Sequence, residues 1–472
     1  MPSPRRYSLG YSSRRALGSG GQWWGRSLLG TACLVLWVLR LRLGVLWPEG
    51  YAHWWRATQV LPVGIDPARG LYPAELPAYT WLNRTLLHGF TPGIPALSVL
   101  QGLTVFFSLL ILIWCWSRGN GWSAGLWALS PWLMDWGLDP NGEIIAAFFL
   151  LLAVGAGFPW RFGWLALACA FSPYAWPFAI LLAGLWSSQQ WHRYRLRGIL
   201  VVAASIGLGW FSIWDQMGLV SFPANQNRLE GLAPLMLTLG LALVRLCWPW
   251  TQRQQAVIAL AVAPILLMRV LMGLGDPLQW TETTRLGLVA LPLLCYVAGG
   301  VLAEIPTRGW QQSLGCLLLV GTMALTLQRW PLWIQQTTLN QDLQQVAIQV
   351  ADQVKPTDVI GDEAQGSLAL VDSAPLVYYS GLPVEGVLGS GALELLYGDP
   401  LPEQVRWLVI NRSDLWTGSQ SPLLQRYGEF AVQNRLLQWQ LINTPEDASA
   451  FVNLTRQAHV RVWQRKAGIE SP

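Results

Sequence analysis

Apolar windows of about 20 residues, the length a helix needs to cross a bilayer, recur through the first two thirds of the chain and then stop. They predict eleven spans: 28–47, 96–116, 122–137, 144–159, 162–172, 174–187, 198–214, 231–248, 256–274, 286–303 and 313–331. The stretch 162–187 is divided because Pro173 and Pro177 stand in "FSPYAWP", and proline removes a helix hydrogen bond and crowds the preceding turn. Between the first two spans, 48–95 reads as a long external loop rich in Trp, Tyr, Pro and charge. Past 331 the pattern changes. Residues 339–354 place Leu339, Leu343, Val346, Ile348, Val350 and Val354 among Gln and Asp, an amphipathic helix pattern. Short apolar runs follow the "KPTD" turn at Val359–Ile360, Leu376–Tyr379, Trp407–Ile410 and Val460–Trp463, alternating with helical stretches. The expected architecture is an all-α polytopic membrane domain followed by a small α/β soluble external domain. Its parts are a basic cytoplasmic tail (1–27), a transmembrane domain (28–334) and the external domain (335–472).

Composition agrees with two solvents. Charged residues make up 12% of the 472 and hydrophobic ones 53%, whereas soluble domains carry roughly 25% charge. Residues 335–472 hold 15 acidic and 9 basic side chains, and 1–334 hold 11 and 22. A soluble enzyme, a disordered chain and a disulfide scaffold are thereby excluded. All six cysteines lie in apolar segments without CxxC spacing, so neither a disulfide framework nor a cysteine metal site is expected. Nucleic acid is not an expected partner; membrane lipids are.

Charge also orients the spans. The first 27 residues carry Arg5, Arg6, Arg14, Arg15 and Arg26 and no acid. The apolar run behind them is long for a signal peptide and has no A-x-A site, so it reads as an uncleaved first helix with a cytoplasmic N-terminus. The cytoplasmic loops then hold Arg118, Arg161, Arg193, Arg195, Arg197, Arg253 and Arg308. The opposite loops hold Glu49, Asp66, Glu75, Asp139, Glu143, Asp215, Glu230, Asp276 and Glu282. An odd span count puts the tail outside, in a periplasm or lumen, for a multi-pass protein of the inner (plasma) membrane.

Candidate chemistry gathers on that outer side. Glu49 falls just past the predicted end of the first span, where burial can raise a carboxyl toward a useful base; a helix-flanking acid is the plainer reading. Glu75 lies between two prolines. Glu143 and Asp139 precede the fourth span, and Glu143 also fits a plain helix-start role. Arg285, at an external helix end, suits bidentate grip on phosphate, and Arg56 and Arg84 add positive charge in the first loop. His53, Tyr79, Trp280 and Glu282 are candidate substrate contacts. Arg40, Arg42 and Arg269 fall inside or near spans, where they either snorkel to an interface or meet an anionic partner. A divalent cation is not obligatory; if one binds, His53 and the external carboxylates are its candidate ligands. Asn83, Asn411 and Asn453 begin sequons on the external side.

The order of these features resembles the GT-C class of polytopic glycosyltransferases, most of all the dolichyl-phosphate-mannose protein mannosyltransferase and aminoarabinose-transferase group. "PEGY" with Glu49 stands for the acidic motif after the first helix, and "YPAELPAYTW" for a tyrosine–proline segment of the external loop. Ser130-Pro131 matches a Ser-Pro in the third helix, Glu143 the acid before the fourth, and "RLGLVALP" from Arg285 the entry to a late helix. The resemblance implies transfer of a sugar from a polyprenyl-phosphate donor to an acceptor hydroxyl of a glycan, lipid or protein. Glu49 would be the base, Glu143 or Asp139 would orient substrate, and Arg285 with Arg56 or Arg84 would hold the phosphate. The acid motif here is a single Glu and Arg285 is followed by Leu286 rather than Tyr. Two alternatives therefore stay beside this one: a transporter or flippase of lipid-linked sugars, and a catalytically inactive relative acting as an assembly partner.

Overall fold

The computed structural model describes residues 20–44, 48–58, 75–90, 95–157, 159–189, 240, 253–275, 278–305, 307–353, 368–371, 374–382, 387–388, 405–411, 439–441 and 460–465. Helix α1 spans Gly20–Arg42. It ends short of the expected 47 because Gly44 adopts φ 62 and donates its N–H to the Leu41 carbonyl, a left-handed stop that glycine takes at little cost.

The described residues of the predicted loop 48–95 are largely helical. Helix α2 runs Pro48–Thr58 and α3 runs Pro77–Phe90. In both, proline occupies the first position, where its missing N–H costs nothing and its φ suits the helix. Tyr51, Ala52 and Trp55 are buried on α2, and Tyr79, Asn83 and Leu87 on α3. That three-to-four spacing was masked in the sequence by the surrounding prolines and charges.

Helix α4 (Ala96–Trp114) continues through a widened turn, Cys115–Gly119, into α5 (Gly121–Ala128). Residues 122–137, expected as one span, are not a single helix. The helix stops before Ser130-Pro131, and a second widened turn occupies Leu133–Gly137. Helices α6 (Gly142–Gly155) and α7 (Trp160–Phe171) follow. A single 3-10 turn at Pro173–Ala175 separates α7 from α8 (Trp176–Gln189), so the proline division of 162–187 is present. Next come α9 (Arg253–Gly275), α10 (Leu278–Ala303), α11 (Arg308–Gln328) and α12 (Trp330–Gln353). The expected spans 198–214 and 231–248 lie outside the described residues.

Among the described residues, three helical stretches are long and apolar enough to cross a membrane, Ala96–Gly119, Arg285–Ala303 and Gly309–Gln349; they place the chain in a membrane. Others expected as spans are apolar but shorter. At 1.5 Å per residue, α6 with its 14 residues covers only about 21 Å of a roughly 30 Å core. Helix α10 is the buried centre of the bundle, while the other two long stretches turn most of their surface outward. Small residues let neighbours approach α10: Gly287 faces the Trp132 ring and Gly299 faces Ser123 and Asn120.

The tail forms a five-stranded sheet in the order β2-β1-β3-β5-β4, from β1 (Leu368–Val371), β2 (Val387–Leu388), β3 (Val405–Asn411), β4 (Trp439–Leu441) and β5 (Val460–Arg465). β1 is parallel to β2 and β3, while β5 is antiparallel to β3 and β4. The runs Trp407–Ile410 and Val460–Trp463 are strands. Leu376–Tyr379 is not: it lies in helix α13 (Ala374–Ser380), whose Ala374, Pro375, Leu376 and Val377 are buried. Four consecutive apolar residues fit either period, and the early Pro375 and the terminal Gly381 at φ 64 decide for helix. Val359–Ile360 lies outside the described residues. The expected division at 334 falls inside α12.

Candidate functional site

Two carboxylate centres come together where α2, α3, α4, α6 and α10 meet. The first surrounds Glu75, whose side chain is 4% exposed. His53 and Arg56 lie three residues apart on one face of α2 and both turn to it. His53 Nδ1 sits 2.5 Å from Glu75 Oε2, and Arg56 Nη1 is 3.6 Å from the same oxygen. Thr80 Oγ1 donates to Glu75 Oε1 at 2.8 Å. The His53 ring meets Tyr79 edge-on, centroids 5.1 Å apart.

The second centre is the "GLDPNGE" turn leading into α6. Asn141 caps the helix, its side chain accepting from the Ile144 N–H. Glu143 is thus released from capping, and its Oε1 lies 3.1 Å from Arg285 Nη1, both side chains buried. Asp139 is held by Arg40, Nη2 to Oδ1 3.0 Å. Arg40 also donates from Nε to the Met134 carbonyl at 2.8 Å and from Nη2 to the Asp135 carbonyl at 3.3 Å. Arg40 therefore does not snorkel. It is fully buried and its anionic partner is a protein carboxylate.

Tyr79 stands between the centres. Its ring faces Gly142, where an added Cβ would lie 3.3 Å from the ring and 2.6 Å from the Phe171 carbonyl. Burial pushes the phenol well up from its ordinary range, and the negative charges of Glu75 and Glu143 push the same way, so it stays a neutral donor.

The remaining candidates divide. Glu49 is the second residue of α2, one turn before His53 and on the same element as Arg56. Trp280 and Glu282 lie in the first turns of α10. The side chains of these three lie outside the described residues. Arg84 donates from Nε to the Ala57 carbonyl at 3.2 Å, tying α3 to the end of α2. Asn83 is fully buried, so the first sequon is closed in the folded protein; Asn411 ends β3, and Asn453 is outside the described residues. Among the described residues, no three His, Cys, Asp or Glu side chains gather to hold a metal.

Some residues escaped the sequence reading. Asp135 Oδ2 accepts from Arg329 Nε at 2.8 Å and its Oδ1 from Trp333 Nε1 at 2.7 Å, pinning the widened turn to the α11–α12 junction. The available signal was an acid inside an apolar window, which is costly unless partnered. Asn83, Thr80 and Asn141 gave no comparable signal.

No protein-family model matches the sequence, and a search of curated proteins returns no relative. Solved structures do match. ArnT from Cupriavidus metallidurans bound to undecaprenyl phosphate aligns with a TM-score of 0.50 at 11% identity, covering 96% of this chain and 100% of that one. The apo state of the same protein aligns with the same score and coverage at 12% identity. Over nearly its whole length, the chain is similar in fold to ArnT.

Proposed function

We propose that this chain is an integral-membrane glycosyltransferase that moves a sugar from a polyprenyl-phosphate donor to an acceptor hydroxyl at the outer face of the membrane. The observation that carries the reading is the end-to-end fold likeness to ArnT, solved with undecaprenyl phosphate. The site chemistry supports it. Two arginines, Arg285 and Arg56, each stand beside a buried carboxylate, next to the helix that opens on Pro48-Glu49.

In this mechanism the acceptor oxygen attacks the anomeric carbon from the face opposite the lipid phosphate. The carbon–oxygen bond to phosphate breaks as the new glycosidic bond forms, with inversion. The acceptor proton passes to Glu49. The departing lipid phosphate gains negative charge, and Arg285 and Arg56 stabilise it. Glu143 holds the Arg285 guanidinium in place before the donor arrives; Glu75 does the same for Arg56 and His53. A lipid phosphate leaves readily, so none of these steps requires a metal. Asp139 and Arg84 serve as braces, on α1 and α2 respectively. The N-terminus is cytoplasmic and the sheet-bearing tail a periplasmic or lumenal α/β domain.

The test is transfer in proteoliposomes carrying a radiolabelled polyprenyl-phosphate hexose. Glu49→Gln should reduce transfer at least 100-fold while the protein stays folded in the membrane. Undiminished transfer would remove Glu49 from the mechanism. Movement of the donor between leaflets without transfer would favour a flippase.

A further inference from the structure

One buried face in the bundle is polar beyond what its own contacts use: Thr104 donates to the Leu100 carbonyl and accepts from the Asn141 N–H, both at 3.4 Å, and the polar groups around it are less well served. Along α3, Tyr79, Asn83 and Leu87 point inward at a four-residue spacing. Leu87 packs on Leu100 of α4 in an apolar cluster with Ala57. One turn on, the contact changes character: Asn83 and Thr104, both fully buried, come up to the Tyr79 hydroxyl. The two amide atoms of Asn83, the Tyr79 hydroxyl, the Gln101 Nε2 and the His53 Nε2 make no hydrogen bond of standard length and angle among the described residues, although Asn83 and Thr104 are near enough to the Tyr79 hydroxyl to offset part of the rise in its pKa. Since both ends of the Asn83 amide lack such a bond, flipping it changes nothing.

A buried amide left unpaired is costly, and native proteins keep very few. Here several stand together. The row contains phenol, amide, hydroxyl and imidazole groups and no cation among Tyr79, Asn83, Gln101 and Thr104. It offers donors and acceptors side by side but no charge for a phosphate, which the neighbouring Arg285 and Arg56 supply. It is too polar for an acyl chain. Its chemistry complements an uncharged ring bearing several hydroxyls, each both donor and acceptor.

We propose that the Tyr79–Asn83–Thr104 row, with Gln101 at its edge, binds the hydroxyls of a sugar ring and sets which sugar the protein accepts. This deepens the proposed function and rests on it for the sugar's role, though not for its binding. The ring belongs either to the lipid-linked donor or to a glycan acceptor.

The test measures the affinity of the full-length protein for three probes: polyprenyl-phosphate hexose, bare undecaprenyl phosphate and a free hexose disaccharide. It compares the native protein with Asn83→Leu, which fills the same volume without an amide, and with Asn83→Ser, which keeps a hydroxyl. The leucine variant should fold at least as well, since it removes an unpaired polar group. It should lose about tenfold or more in affinity for one sugar-bearing probe, corresponding to one well-made hydrogen-bonded contact, and leave bare undecaprenyl phosphate unchanged. The serine variant should recover part of the loss. A loss confined to the lipid-linked hexose assigns the row to the donor; one confined to the disaccharide assigns it to the acceptor. Unchanged affinity for both sugar probes, or an equal loss for bare undecaprenyl phosphate, overturns the proposal. If the native protein transfers sugar while Asn83→Leu leaves both sugar affinities intact, the row fails and the enzyme reading stands. If it transfers nothing yet shows the sugar-dependent loss, the enzyme reading fails and the row stands.

Discussion

At the scale of single residues, the buried charges are each answered by a specific partner. Arg40 occurs in the last turn of an apolar helix and is fully buried, where an isolated guanidinium would be expensive. It persists because Asp139 and two backbone carbonyls surround it, and the Trp333 ring lies 5.9 Å away. A buried pair of this kind contributes little net stability, but removing one partner leaves the other charged and unmatched. Asp139→Ala should therefore destabilise the protein by about 3 kcal/mol, read as a lower unfolding midpoint in detergent. Adding Arg40→Met should restore most of that loss. An Asp139→Ala protein as stable as the native one would mean the pair is not what holds the turn.

At the scale of elements, the site depends on how closely α6 approaches α3 and α7. The approach is possible because residue 142 has no Cβ: a methyl there would meet the Phe171 carbonyl at 2.6 Å, a backbone atom that cannot swing aside. Gly142→Ala should cost about 1–3 kcal/mol through overpacking. It should also lower transfer, because it displaces the first turn of α6 and with it Glu143 from Arg285. A variant with native stability and activity would show that the turn relaxes freely. The same scale explains why the two helices within 48–95 do not stand out in the sequence. Proline marks helix starts as well as loops, and a stripe of three or four buried residues is too short to stand out among charges.

At the scale of the whole molecule, the tail is not a detached appendage to the bundle. Tyr51 on α2 is hydrogen-bonded to Tyr379 on α13, oxygen to oxygen 2.5 Å. Tyr378 packs edge-on against both Tyr51 and Trp54, and Leu343, Val346 and Ala347 of α12 share that core. The helix that carries Glu49, His53 and Arg56 is thus backed by the tail. Burial raises the phenols of Tyr51, Tyr378 and Tyr379; the nearby Tyr379 pushes Tyr51 and Tyr378 further up, while the hydrogen bond from Tyr51 partly offsets the rise at Tyr379. A folded pKa above the unfolded value of about 10 means full stability below that pH, lost as pH climbs through the folded values. Unfolding midpoints should accordingly hold level up to about pH 10, where free tyrosines ionise, and fall progressively above it. Tyr51→Phe with Tyr379→Phe should flatten that fall. An unchanged slope in the double variant would place the alkaline sensitivity elsewhere.

Much was determined by the sequence alone. Apolar windows and scarce charge dictate a membrane protein, because too little polar surface exists to coat a soluble one. Pro173 and Pro177 dictate the break between α7 and α8, since no fold can give proline its missing N–H. The residues at the centre of the site (His53, Glu75, Tyr79, Glu143 and Arg285) were visible as scarce polar groups on one predicted side. Their pairing was not. That Glu143 meets Arg285 across 142 positions, that Asp139 answers Arg40, that Asp135 joins Arg329 and that Asn83 lies buried beside Thr104 are consequences of which helices pack together. Packing of this kind follows from side-chain shape and close approach at glycines, neither of which has a period or spacing along the chain.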